Sequence, residues 1–211
     1  MKSIAIIGAT GSTGKELVRL ALDANYRVVL VVRNPDHIQP EKNVTVMKGD
    51  VTNLNSLEEG IKNVNFVISC FGPADNRKVG NFMSRGVSNI VKACEKNKVE
   101  RFVFMSGFVQ ANYNEFSFLH QLTVKLLRQY YYQSYNDKVI AEASIQNSKL
   151  EWIIVRASSL GNFPSSGKYK AGINTRIHPF AMLSYADCAQ CLLDAVKEKD
   201  WTRQIINVGK K

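Results

Sequence analysis

Long apolar runs are missing from this chain: nothing in its 211 residues approaches the roughly 20 continuous apolar positions that a membrane span needs. No charged-then-apolar leader stands at Met1-Lys2-Ser3, which runs straight into an apolar stretch, so no signal peptide is expected and the expected compartment is the cytoplasm. Cysteine is sparse. Cys70, Cys94, Cys188 and Cys191 agree with a reducing environment. Cys188 and Cys191 are spaced C-x-x-C, but no second ligand pair stands nearby and Asp-Cys-Ala-Gln-Cys-Leu-Leu has the pattern of a helix interior. No metal or redox centre is expected there; the reading is two small apolar residues on a packed helix. Internal repeats and low-complexity linkers are absent too. Acidic residues are in deficit, 18 against 28 Lys and Arg, for a net charge of +10. The basic residues are scattered and no nucleic-acid motif interleaves them, so the expectation is a field that attracts phosphate-bearing ligands, with no nucleic acid and no membrane as partner.

What is present is a chain of 45% hydrophobic residues, enough for one large core. Apolar runs alternate with helical patterns. The runs are 4–7, 27–32, 44–48, 65–71, 101–105, 151–155 and 204–208. Helical patterns fall at 15–24, 54–60, 79–97, in a long stretch ending at Asn147, and at 185–197. That alternation predicts a doubly wound, Rossmann-like parallel α/β sheet of seven strands with right-handed crossovers, in a single domain. Ligands of such sheets sit beyond the C-terminal strand ends, near the point where strand order reverses.

The first strand breaks into Gly8-Ala9-Thr10-Gly11-Ser12-Thr13-Gly14. Glycines spaced G-x-x-G-x-x-G between a strand and a helix make a pyrophosphate cradle, with backbone N–H groups and the helix dipole facing the anion. Gly8 permits the turn, Gly11 the approach of phosphate, and Gly14 the packing of helix on strand. Thr10, Ser12 and Thr13 can add hydroxyl donors. A dinucleotide whose ribose 2′-hydroxyl is free meets an acidic residue after the second strand, whereas a 2′-phosphate meets an arginine. Here the tip is Val32-Arg33-Asn34, with no carboxylate, which predicts NADP(H) over NAD(H).

Together with Gly49-Asp50-Val51, residues 83–91, Phe104-Met105-Ser106-Gly107 and residues 184–189, these motifs resemble the atypical short-chain dehydrogenase/reductases of the NmrA-like, NAD(P)-binding group, most of all its flavin reductase/biliverdin-IXβ reductase members. The resemblance covers essentially the whole chain. It implies Asp50 and Val51 along the adenine, Phe71 and Gly72 along the cofactor ribose, and Ser106 beside the nicotinamide. Lys138 looks like the family lysine, and Ala157 and Ser158 complete the implied cofactor set after the sixth strand. Two departures stand out. Active members usually carry Tyr-x-x-x-Lys, whose lysine lowers the tyrosine pKa; here Ser134 stands four before Lys138, and Tyr135 only three. Flavin/biliverdin reductases tend to carry a histidine after the sixth strand, where this chain has Ala157-Ser158-Ser159-Leu160-Gly161. His178 is the histidine that can approach the pocket, with a purely structural role as the alternative.

Residues 108–135 carry Tyr113, Phe116, Phe118, Tyr130, Tyr131, Tyr132 and Tyr135, with Leu119, Leu122 and Leu126 on one helix face. The aromatic rings can stack on a flat acceptor; the leucines are expected in the core or on a dimer surface. With residues 158–182 this segment is expected to form a substrate lid. Ser106 and Lys138 are the candidate catalytic residues, Ser106 as a hydrogen-bond donor or merely a strand-end serine, Lys138 holding the ribose or adding charge near an acceptor anion. Two function classes follow: an NADPH-dependent reductase of a conjugated acceptor (flavin, quinone or bilin-like), and a non-catalytic NADP(H)-binding redox sensor. A nucleotide-sugar epimerase or dehydratase is the weaker third. Monomer and homodimer both stay open.

Overall fold

Apolar runs without polar interruption fold as strands buried on both faces, which parallel sheets require. In the computed structural model, which describes residues 1–38, 41–73, 75–77, 79–173, 175–176 and 178–211 (His37 by its backbone only), the chain runs β1 (Ser3–Ile7), α1 (Ser12–Asp23), β2 (Arg27–Val32), β3 (Val44–Lys48), α2 (Leu54–Gly60), β4 (Phe66–Ser69), α3 (Phe82–Lys96), β5 (Arg101–Gly107), α4 (Phe118–Tyr130), α5 (Tyr132–Gln146), β6 (Trp152–Ala157), β7 (Leu160–Gly161), β8 (Tyr169–Gly172), β9 (Leu183–Ser184), α6 (Tyr185–Ala195) and β10 (Gln204–Lys210). The sheet order is β3-β2-β1-β4-β5-β6-β10-β8. All neighbours pair in parallel except β8, which runs antiparallel to β10. The predicted seven strands are all present. The count is nonetheless corrected: an eighth edge strand joins the sheet, and β7 and β9 form a separate parallel pair.

Side chains alternate across the sheet. Ile4, Ile6, Val28, Leu30, Val103, Ile153 and Val155 face one way and pack with Leu17 and Ala21 of α1 and Cys188, Cys191 and Leu192 of α6. Ala5, Ile7, Val67, Phe102, Phe104 and Ile154 face the other way, against Leu57 of α2, Met83, Val87 and Ile90 of α3, and Ala141 and Ile145 of α5. Cys188 and Cys191 are therefore core residues. Burial pushes both thiols well above their usual range. The long helical stretch ending at Asn147 is in fact two helices with a break at Tyr131. No helix among the described residues is long and apolar enough to cross a membrane.

Strand order reverses between β1 and β4, both interior strands of the sheet. The crevice at that reversal is where the motif-bearing loops meet.

Candidate dinucleotide site

The glycine turn lies where β1 hands over to α1, and β4 ends beside it. Gly8 has φ +91°, and a Cβ there would fall 2.6 Å from the Phe71 nitrogen, so any side chain collides with backbone. A Cβ on Gly14 would meet the Gly8 carbonyl oxygen at 2.1 Å, since α1 starts directly against the turn. Gly11 differs. Its Cβ would meet only the Gly8 oxygen, at 3.4 Å, so the protein itself does not demand a glycine and the space in front is left for a ligand. The first intrahelical bond of α1 is from Lys15 N–H to the Gly11 carbonyl, at 2.9 Å. The N–H groups of Ser12, Thr13 and Gly14 thus point out of the helix end, with no capping side chain and no acidic residue in the first turn. These groups fit a pyrophosphate.

A cavity of about 1010 Å³ opens from this turn along β2. Of the predicted cofactor residues, Gly8, Thr10, Gly11, Arg33, Val51, Phe71 and Gly72 line it. Ser12, Thr13 and Gly14 lie in the helix start behind the turn; Thr13 is buried and Ser12 exposed. Arg33 is exposed at the end of β2 and, among the described residues, has no ion pair. Lys15, also lining the cavity and also without an ion pair, is a cation that the motif reading passed over. Its place one turn into the helix was the available signal. Phe71 packs edge-on against Phe82, with ring centroids 5.7 Å apart, and Phe82 is a second lining residue not singled out by motif. Cys70 lines the wall as well, its thiol pushed up by burial to about 12 and so chemically quiet.

Asp50 is placed differently from the expectation along the adenine. Its carboxylate turns back to its own loop, accepting from the N–H and hydroxyl of Thr52, both at 2.8 Å, and it does not line the cavity. The Thr52 N–H, opposed by desolvation and helped by the Thr52 hydroxyl and the charge of Arg33, holds that carboxyl below its usual range.

Ser106 and Lys138 lie outside the cavity, at the end of β5 and on α5. Ser106 and Arg156 are register partners on β5 and β6, on the sheet face that α5 covers. The Ser106 hydroxyl donates to Glu142 Oε1 at 2.6 Å, and Arg156 Nη2 donates to Glu142 Oε2 at 2.6 Å. All three are less than a tenth exposed. Glu142, one turn after Lys138, is a residue sequence reasoning missed. Burial pushes the Lys138 ammonium below its ordinary value of 10.5, against the pull of Glu142 and Asp137. Asp137 fixes α5 in place by accepting the N–H groups of Met83 and Ser84 at 2.7 and 3.0 Å, thereby capping α3 from a neighbouring helix. Ser134, where the family tyrosine would stand, is buried and donates to Asn76 at 3.1 Å. Ala157 is packed in the core, and Ser158 is buried with its hydroxyl on the Ala181 carbonyl at 3.2 Å.

The two predicted lid segments touch: the His120 ring meets His178 at 4.5 Å and Phe180 at 5.6 Å. Residues 174 and 177 of the second segment lie outside the described residues. Neither segment contributes to the large cavity; Tyr130, Tyr131 and Tyr132 line a separate cleft of about 330 Å³ with Asn76 and Arg77. Tyr113 and Tyr135 are occupied by the Arg128 guanidinium, 4.4 and 4.8 Å from their ring centres. Leu119, Leu122 and Leu126 are 79, 63 and 58% exposed, which rules out the core alternative of the expectation and leaves the dimer-surface alternative open.

A family model described as NAD(P)H-binding matches residues 8–199. The chain belongs to that family. The photosystem II assembly factor Ycf39 of Cyanophora paradoxa is 30% identical to this chain over 126 residues, which are 58% of this chain and 39% of that protein. The chain thus spans about two fifths of the length of that curated relative. A short-chain dehydrogenase/reductase of Veillonella parvula, solved in complex with NADP, superposes with TM-score 0.79 at 23% identity over 99% of this chain and 94% of its own. ChuY, an anaerobillin reductase of Escherichia coli O157:H7, gives TM-score 0.80 at 19% identity over 99% and 97%. A putative NADH-flavin reductase of Streptococcus pneumoniae gives 0.78 at 18% identity over the full length of both chains. The chain is accordingly an NAD(P)H-binding protein with a Rossmann-like fold, and the glycine turn and cavity are its candidate cofactor site.

Proposed function

We propose that the chain is an NADPH-dependent reductase that passes hydride to a conjugated acceptor of the flavin, quinone or bilin kind. The bound nicotinamide supplies the hydride. Arg33 and Lys15, both cationic, at the cavity and without an ion pair among the described residues, support the choice of a cofactor bearing a 2′-phosphate.

The acceptor class rests on one observation: no phenol stands four residues before Lys138. In its place the Ser134 hydroxyl is buried and engaged with Asn76. Ketone reduction needs an acid at the developing alkoxide. A conjugated ring system delocalises the incoming charge and takes its proton from water, so an orienting donor and a nearby positive charge suffice. Lys138 stands on α5 one turn before Glu142, which accepts from Ser106 at the end of β5, and a positive charge there favours an anionic acceptor. Among proteins of this fold, ChuY is named an anaerobillin reductase and the Streptococcus protein a putative NADH-flavin reductase, which agrees with such acceptors.

A second reading, a redox sensor that binds NADP(H) without turnover, has one observation in its favour. The Ser106 hydroxyl is already committed to Glu142. Following NADPH oxidation by absorbance with FMN, riboflavin, biliverdin and quinones offered in turn, alongside a cofactor titration, separates the two. Turnover with any acceptor establishes the reductase. Tight binding without turnover, with different affinities for oxidised and reduced cofactor, establishes the sensor.

A further inference from the structure

Of the fourteen large apolar side chains exposed among the described residues, eleven fall within residues 113–132 and 163–182. On α4, Leu119, Leu122, Leu126 and Tyr130 recur at intervals of three and four and form one outward stripe. The opposite side anchors the helix: Val124 is fully buried against Ala111 and Phe116, and Arg128 donates to the carbonyls of Val109 and Ala111. Through His120, the stripe continues onto Phe180 of the second segment, itself 61% exposed.

The charge of the two segments is one-sided. Residues 108–135 and 158–182 hold five Lys and Arg but a single carboxylate, Glu115, which is tied to the Asn112 N–H at 2.7 Å and to Asn207. Lys125, Lys168, Lys170 and Arg176 are exposed. Among the described residues none of the four has an ion pair.

We infer that this surface docks on an anionic lipid bilayer, with α4 lying in the interface. Leucine and phenylalanine on one side of a helix, tyrosine at its end and lysines alongside are the chemistry that an acidic bilayer surface takes up. A second copy of the chain is the competing occupant, and charge disfavours it: stacking the face on itself opposes like-charged segments of two molecules that each carry +10. This contact needs no spanning helix, and it departs from the expectation of no membrane partner, which rested on the lack of a long apolar run.

The test is co-sedimentation of the full chain, with NADPH present, on phosphatidylcholine vesicles with and without phosphatidylglycerol. Sedimentation velocity without vesicles runs alongside. The expected result is binding to the anionic vesicles only, weakened by salt. Leu122→Gln/Leu126→Gln should lower partitioning by about a hundredfold, each leucine contributing about tenfold, with NADPH affinity and melting temperature unchanged. Both positions are exposed, so the fold does not depend on them. Failure to bind anionic vesicles overturns the inference, as does undiminished binding by the double variant. A wild-type dimer that the double variant dissociates overturns it in favour of a second copy.

Discussion

Glu142→Ala strips the counter-charge from a guanidinium that has no other side-chain partner among the described residues. Arg156 is 8% exposed, and its Nη2 and Nε both reach Glu142, at 2.6 and 3.4 Å. An intact buried pair adds little net stability, but removing one partner leaves a dry, unpaired charge and costs about 3–5 kcal/mol. The Ser106 hydroxyl loses its acceptor at the same time. For a fold of this size, about 4 kcal/mol corresponds to a melting temperature lower by about 10 °C, and to a large share of the total stability. Urea melts of Glu142→Ala, Arg156→Met and Glu142→Leu/Arg156→Met measure it. The double variant should recover most of the loss, because an apolar pair carries no desolvation penalty. NADPH affinity should stay unchanged, since none of the three residues lines the cavity. A single-variant loss below about 1 kcal/mol, or a double variant as unstable as the two singles added together, refutes the uncompensated charge.

Gly8→Ala forces a side chain onto backbone at φ +91°, costs on the order of 1–3 kcal/mol and should abolish tight NADPH binding by calorimetry; unchanged affinity contradicts the cradle. Arg33→Ala should weaken NADPH by about 10- to 100-fold and leave NADH nearly unaffected; an equal loss for both counts against a 2′-phosphate contact. Asp187 ties down the second lid segment, accepting from the Ser165 hydroxyl at 2.5 Å and from the Ser166 N–H at 3.0 Å. Desolvation raises its pKa, but the hydrogen bonds from Ser165, Ser166 and Ser184 outweigh it and hold the carboxyl below its unfolded value of 3.8. Its stabilisation is therefore complete above 3.8 and lost as pH falls through the lower folded value. The melting-temperature gap between wild type and Asp187→Asn should close over that acid range; a gap that persists there would show that Asp187 acts by some means other than its charge.

The parallel strands were legible because they are apolar runs with few polar interruptions, such as Thr45 in β3 and Asn207 in β10, and the glycine turn because its spacing is a backbone requirement. β8 was not. Tyr169-Lys170-Ala171-Gly172 has no apolar pattern of its own and gains its order by pairing with the last strand. The break between α4 and α5 falls in Tyr130-Tyr131-Tyr132, without glycine or proline to mark it. Periodicity identifies an apolar helix face but says nothing of what covers it, which is why Leu119, Leu122 and Leu126 could be read only as core or dimer surface. Glu142 and Asp187 escaped notice for the opposite reason. A carboxylate on a helix looks solvent-facing until the fold brings Arg156 to one and the Ser165–Gly167 turn to the other.

Among the described residues, the large cavity and the two segments after β5 and β6 share no lining residue. The first is shaped mostly by main chain: a turn that tolerates no side chain, a helix end, and the tips of neighbouring strands. The second is shaped by side chains on surface insertions, each fastened at a few points, Arg128 for one and Asp187 for the other. Changes to those insertions leave the glycine turn and its cavity intact, so a dinucleotide-binding scaffold can vary the surface it shows beyond β5 and β6 while the parts that shape its cavity stay fixed.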